Sequence, residues 1–204
     1  LSTQMLTPFE IGNFLKPIVK RYGIKIPVHR GGAAHVFHLP NEDHFLTEVH
    51  QDIGIMLSDK SLTCWYPLVP INAENGRLRL YPGSHKLGVV RPYKVNYRGH
   101  SEIKSSIINK FDFIEFDMNP SDLIIFSTKL LHTATPNRSS NCRFASIIRF
   151  EDYSEKEFHN HLDSRFSHGY IMEKDKSSLS GFKENREDLL MNVTKVASEY
   201  KKNK

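Results

Sequence analysis

Apolar positions follow one rhythm at the start of the chain and another through its middle. In "LTPFEIGNFLKPIVKRYG", residues 6 to 23, Phe14, Leu15, Ile18, Val19 and Tyr22 recur at the three- and four-residue spacing of a helix face. Thr7 suits the N-cap, Pro8 the first turn, Glu10 the third position of a capping box and Gly23 the stop. Pro17 falls inside this run and predicts a kink or a split. From about residue 33 to 150 the texture turns to strand. "AHVFHL", "DIGIML", "LTCWYPLVPI", "RLRLYP", "FDFIEF", "DLIIFSTKLLH" and "CRFASIIRF" are short, rich in β-branched and aromatic residues, and separated by turn clusters. That spacing argues for a sandwich or barrel. Residues 88 to 110 are polar and irregular, which predicts a loop over one end. "ENREDLLMNVTKVASEYKKNK" predicts a closing amphipathic helix through Leu189, Leu190, Val193, Val196, Ala197 and Tyr200. The expectation is a single domain over residues 1–204, mainly β, with a β core at about 33–150 and helices from both ends.

Composition narrows the class. A chain of 204 residues with 39% hydrophobic and 25% charged residues can bury a sizeable core. The net charge is only +5, and part of the excess sits in the tail "KKNK". Without a recognised motif or an aromatic stacking platform, no nucleic-acid partner is expected. The two cysteines, Cys64 and Cys142, make no disulfide framework and have no metal-ligand spacing, so a reducing cytoplasm is the expected setting. No apolar run approaches the ~20 residues that span a bilayer, and no membrane partner is expected.

The candidate chemistry begins in "EVHQDIGIM", residues 48 to 56. His50 and Asp52 stand two apart, and on an extended chain such residues project to one face. A histidine hydrogen-bonded to its neighbouring carboxylate is the plain alternative. A third group strengthens the metal reading. His132 ends an apolar strand, and "TPNRSSN" follows before the next strand. Folded as a hairpin centred between Asn137 and Arg138, this segment sets His132 opposite Arg143. Two histidines and one carboxylate with open positions suit a non-haem Fe(II) oxygenase. A nearby arginine suits a dicarboxylate cosubstrate through bidentate pairing.

"HQD" at 50 to 52, "LTCWYPL" at 62 to 68, "ENGRLRLYPGSHKLG" at 74 to 88 and "SDLIIFSTKLLH" followed by Arg143 run in one order across residues 45 to 150. In this the chain resembles the phytanoyl-CoA dioxygenase-like Fe(II)/2-oxoglutarate oxygenases. The resemblance implies a double-stranded β-helix core, a jelly roll of cupin-like form. It implies that His50, Asp52 and His132 bind Fe(II) and that Arg143 binds the distal carboxylate of 2-oxoglutarate. It sets Trp65 along the cosubstrate pocket, with core packing as the alternative. Family members often carry Gly-Ser after the distal histidine; here Thr133-Ala134 stands there, so the serine's contact with 2-oxoglutarate is either lost or moved to Thr133 or Thr135. The implied reaction uses dioxygen to hydroxylate an unactivated C–H bond of a small molecule, releasing succinate and carbon dioxide. A non-catalytic metal-binding β-barrel module and a basic nucleic-acid-binding domain are the rival readings.

The substrate side is read from two stretches. Pro82-Gly83 signals a turn, which either closes the barrel or sets His85 and Lys86 at the substrate entrance. In "RLRLY", Leu78 and Leu80 project to one face and Arg77, Arg79 and Tyr81 to the other. If the leucines pack under the helices, Arg77 and Arg79 look into the cavity mouth, with Arg91 and Lys94 closing over it. That arrangement would select an anionic small molecule. If the leucines fill the barrel, the arginines are merely solvated.

Overall fold

A computed structural model describes residues 8–29, 34–44, 46–95 and 101–156. The expected cap Thr7 and the expected helix through Leu189 to Tyr200 lie outside the described residues. The described strands are β1 (Pro27–His29), β2 (Ala34–His38), β3 (Ser61–Pro67), β4 (Leu78–Leu80) and β5 (Lys94–Val95). They continue as β6 (Ser101–Glu102), β7 (Ile114–Glu115), β8 (Ile124–Ser127), β9 (His132–Ala134) and β10 (Arg143–Asp152). The helices are α1 (Pro8–Arg21) and α2 (Ser105–Ile108).

The chain divides into two compact units. Of the described residues, the first takes those up to 29, 56–61 and 149–156, and the second those from 34 to 55 and from 62 to 148.

In the first unit α1 lies against β1, which pairs antiparallel with the end of β10. Leu15 and Val19 form the buried face of α1, while Phe14 and Tyr22 are 70% and 65% exposed. The apolar stripe is therefore narrower than the sequence predicts. Pro17 does not split α1, which runs unbroken through it. Pro17 and Asn13, whose carbonyl loses its helical partner there, are both exposed, so water can satisfy the orphan group. Gly23, at φ 93°, ends the helix. The amides of Gly23 and Ile24 reach back to the carbonyls of Lys20 and Val19, the paired bonds of a Schellman stop. Two buried acids knit the rest of this unit: Glu151 accepts from the amides of Leu57 and Ser58, and Asp152 from those of Lys25 and Ile26.

The second unit is built from two antiparallel sheets in jelly-roll fashion. In one, β2 and β3 flank β10, and β3 pairs on to β8; in the other the order is β7-β4-β9. Trp65 of β3, Leu78 and Leu80 of β4, Phe126 of β8 and Ala145 of β10 form one buried cluster between them. A second cluster joins Tyr81, Ile103 and Leu131, with Ile107, Ile108 and Phe111 packed against it. The stretch from 88 to 110 is thus not a bare loop: its described parts carry the β5–β6 pair and α2.

Two expectations about the strands are corrected. "DIGIML" does not form a strand; Asp52–Ile55 is a 3-10 turn. Buried Ile53, Met56 and Leu57 have helical spacing, not alternation. The expected hairpin between His132 and Arg143 does not form either. β9 pairs with β4, with His132 opposite Leu80, whereas Arg143 lies opposite His38 on β2 in the other sheet. Residues after β9 keep bonding to the segment before β4: Thr135 N–H donates to the Arg77 carbonyl and Arg138 N–H to the Glu74 carbonyl. The chain then crosses between sheets at buried Asn137, whose amide donates to the carbonyls of His38 and Asn141. A corner held by a side-chain amide replaces the tight turn.

Candidate metal centre

All residues of the candidate centre belong to the second unit. The main chain brings its histidines together: His50 and His132 form an antiparallel bridge, each N–H donating to the other's carbonyl at 3.0 Å. The imidazole rings lie 4.3 Å apart between centroids. Asp52 reaches the same place because the chain turns directly after His50. Its Oδ1 stands 3.8 Å from His50 Nε2 and its Oδ2 3.8 Å from His132 Nε2. Those gaps exceed a hydrogen bond. Two metal–ligand bonds of about 2.1 Å reach about 4 Å end to end, so they fit a shared ion.

The ring nitrogens facing away are also fixed. His50 Nδ1 bonds the Glu48 carbonyl at 2.7 Å and His132 Nδ1 bonds the Leu130 carbonyl at 3.0 Å. A carbonyl can only accept, so each Nδ1 carries the proton and each Nε2 keeps its lone pair. Thr63 Oγ1 donates to Asp52 Oδ2 at 2.7 Å, and Phe126 packs edge-on against His132 at 4.9 Å. Among the described residues His50, Asp52 and His132 form the one His/Cys/Asp/Glu group able to hold a metal. His50 is a quarter exposed on its side chain while the other two are nearly covered, so the group opens on the His50 side.

Arg143 is 1% exposed. Its Nη1 donates to the Gly76 carbonyl at 2.9 Å, and its buried Nε has no partner. Among the described residues no carboxylate pairs with it, and burial lowers its pKa to about 10. A buried guanidinium with a spare donor and no counter-ion is costly unless an anion completes it. That orphaned atom is the structural ground for an anion seat. Gly76 is held at φ 97°, and a Cβ there would collide with the Thr135 carbonyl. Only glycine lets this segment approach so closely while turning its carbonyl onto Arg143.

The other sequence-selected residues are placed as follows. Trp65 lies in the buried cluster, two residues beyond Thr63 and so on the same strand face. Thr133 stands opposite Arg79, on the strand face away from His132, and its hydroxyl donates to the Thr47 carbonyl. Leu78 and Leu80 fill the core. Arg77 is bound to Asp117 at 2.6 Å, and Arg79 to Glu115 at 2.7 Å with its guanidinium over the Phe113 ring. Of the two placements the alternation allowed, the second is found: the leucines fill the barrel and both arginines are paired with acids on the opposite strand face. His85 and Arg91 are exposed, and no described contact joins them to the triad.

Residues that sequence reasoning passed over do much of the positioning. Gln51, inside "HQD", donates from Nε2 to the carbonyls of Gly88 at 2.9 Å and Lys129 at 2.5 Å, and accepts from Val90 N–H at 2.9 Å. Buried Ser84 of the "PGSH" turn donates to the Tyr81 carbonyl and accepts from Leu131 N–H, one residue before His132. The turn is therefore a brace for the strand carrying the distal histidine.

A family model described as phytanoyl-CoA dioxygenase (PhyH) matches residues 14–145, which hold the whole triad and Arg143. The chain belongs to the PhyH family. A phytanoyl-CoA dioxygenase domain-containing protein 1 homolog of Dictyostelium discoideum is 30% identical over 113 residues, covering 50% of this chain and 40% of that protein. A 1-deoxypentalenic acid 11-beta-hydroxylase of Streptomyces exfoliatus is 32% identical over 109 residues, covering 49% of this chain and 38% of that protein. The match thus spans well under half of each relative's length. Among solved structures, the epimerase SnoN in complex with Fe3+, alpha ketoglutarate and nogalamycin RO superposes with a TM-score of 0.53 at 16% identity. That superposition covers 72% of this chain and 62% of SnoN. The carbocyclase SnoK gives 0.50 at 20% identity over 63% of this chain and 51% of its own. These likenesses show that the PhyH chain has the jelly-roll fold of those enzymes. No described helix is long and apolar enough to cross a membrane.

Proposed function

We propose that this chain is an Fe(II)- and 2-oxoglutarate-dependent oxygenase that hydroxylates a C–H bond of a small molecule, consuming dioxygen and releasing succinate and carbon dioxide. The observation that carries the reading is the pairing of a His50–Asp52–His132 donor set with a buried Arg143 that no described carboxylate pairs, in one PhyH-family chain. His50 and His132 would offer Nε2, and Asp52 the carboxylate oxygen that Thr63 does not bond. Bound iron would supply the activation of dioxygen. The chain's own part is to hold the donors in one tautomer and to seat the distal carboxylate on Arg143. Trp65 and Phe126 line the interior with apolar surface and keep water from that face. Hydroxylation is favoured over halogenation because Asp52 would take the position on the metal that a halide would need.

Iron binding and cosubstrate turnover test this directly. One Fe(II) per chain, with binding abolished by His50→Ala or His132→Ala and succinate released from 2-oxoglutarate, is the expected result. Unchanged metal affinity in both variants would sink the assignment.

A further inference from the structure

We propose that His38 makes the second contact to the carboxylate seated on Arg143, an inference that rests on the reading of Arg143 as the 2-oxoglutarate anchor. His38 closes β2 and is the register partner of Arg143 on β10. Partners across an antiparallel pair present their side chains to the same face, with Cβ atoms about 5 Å apart. Both side chains are buried. His38 is also fixed at its main chain, where its carbonyl accepts the amide of buried Asn137. Arg143 spends Nη1 on the Gly76 carbonyl and leaves Nε unpartnered. This stretch of inner face therefore carries a cation with a spare donor and an imidazole side by side. The acid that acts on His38 is Asp43, and its exposed carboxylate is held by both terminal nitrogens of Arg138.

The electrostatics fit an anion seat beside His38. Burial and the charge of Arg143 push the His38 imidazole down to about 4, against the opposing pull of Asp43. At neutral pH His38 is uncharged and still has one N–H to donate. A carboxylate arriving at Arg143 offsets the repulsion that keeps His38 neutral, so its affinity for a proton rises. Cosubstrate binding should then draw a proton onto the protein. Proton and ligand are linked, so lower pH tightens binding until His38 is charged in both states.

Calorimetric titration of the anaerobic Fe(II)-loaded protein with 2-oxoglutarate at pH 6.0, in buffers of different ionisation enthalpy, measures affinity and proton uptake together. The wild-type protein should take up protons on binding. His38→Leu should weaken binding at least tenfold and abolish the uptake, with Fe(II) affinity and melting temperature retained. His38→Gln, which keeps a donor but cannot be charged, should bind better than the leucine variant and show no uptake. Absence of proton uptake by the wild-type protein overturns the proposal, and that measurement needs no variant to fold. Wild-type affinity in both His38 variants, with loss in Arg143→Ala, overturns it while leaving Arg143 in place. Wild-type affinity in Arg143→Ala as well overturns both readings.

Discussion

Thr63 Oγ1 donates a hydrogen bond to Asp52 Oδ2 across 2.7 Å, with both side chains buried. The bond occupies one lone pair of a carboxylate whose other oxygen stands nearest His50. It therefore fixes the carboxylate's rotation beside the two histidines. Partners of this kind matter to metal affinity by about 10- to 100-fold. Thr63→Val keeps the shape and removes the donor. We expect Fe(II) affinity to fall within that range while the protein still folds, as read by calorimetry and thermal melting. A larger loss in Thr63→Ser than in Thr63→Val would show that packing, not the hydrogen bond, is what Thr63 contributes.

Arg143 gives a separable prediction. Arg143→Ala removes the cation but leaves His50, Asp52 and His132 untouched. The apparent KM for 2-oxoglutarate should rise sharply, or turnover should vanish, while Fe(II) still binds. Arg143→Lys should rescue poorly. A lysine is a point charge that cannot offer a planar pair of donors, and its shorter reach would also abandon the Gly76 carbonyl. A wild-type response to 2-oxoglutarate in the alanine variant would remove Arg143 from the site.

The donor set and the arginine were legible because they depend on residue type and order. His50, Asp52, His132 and Arg143 stand out from an otherwise apolar β texture, and Gly76 lies within a recognisable motif. The way they meet was not legible. The hairpin that set His132 opposite Arg143 assumed that a turn-rich segment makes a tight turn. In the structure those turn residues pair with 74–77 and cross between sheets at Asn137. Periodicity records which side of a strand is apolar, and says nothing of which strand lies beside it. The same limit applies to "RLRLY": the alternation left two placements open for the arginines, and their partners Glu115 and Asp117 lie some forty positions away. Thr63, Gln51 and Ser84 carried no signal because lone polar residues near apolar runs are common.

Acid sensitivity should centre on Asp152. Burial alone would raise its pKa, but the amides of Ile26, Lys25 and Ser154 and the Ser154 hydroxyl outweigh that and bring it to about 2. A carboxylate held below its unfolded value of about 3.9 favours the folded state above that value, and the benefit disappears as pH falls through about 2. Asp152→Asn should therefore melt lower than wild type at pH 7. The gap should narrow as the pH drops from about 4 to 2, because the wild type loses the same charge. A gap that stays constant across this window would mean that the cost is steric and not linked to ionisation.

Gln51 shows how the metal turn is tied to its surroundings. Its one amide joins three chain segments: its own HQD turn, the loop at Gly88 and Val90, and Lys129 ahead of the distal histidine. Two of its bonds are donations from Nε2 to carbonyls. Gln51→Glu preserves length and the acceptor for Val90 N–H, but it turns both donations into a carboxylate facing carbonyl oxygens. Gln51→Ala removes all three bonds without adding a charge. Leaving partly buried groups unpaired costs about 1–3 kcal/mol each, so both variants should be less stable than wild type. The glutamate should be the worse of the two at neutral pH and should recover toward the alanine variant as the pH is lowered and the carboxyl regains a proton. Hydrogen exchange locates the effect. The Val90 amide should lose protection in Gln51→Ala and keep it in Gln51→Glu, whereas exchange across the β3–β8 pair should be unchanged in both. If the Val90 amide exchanges in Gln51→Ala as slowly as in wild type, Gln51 does not hold the loop.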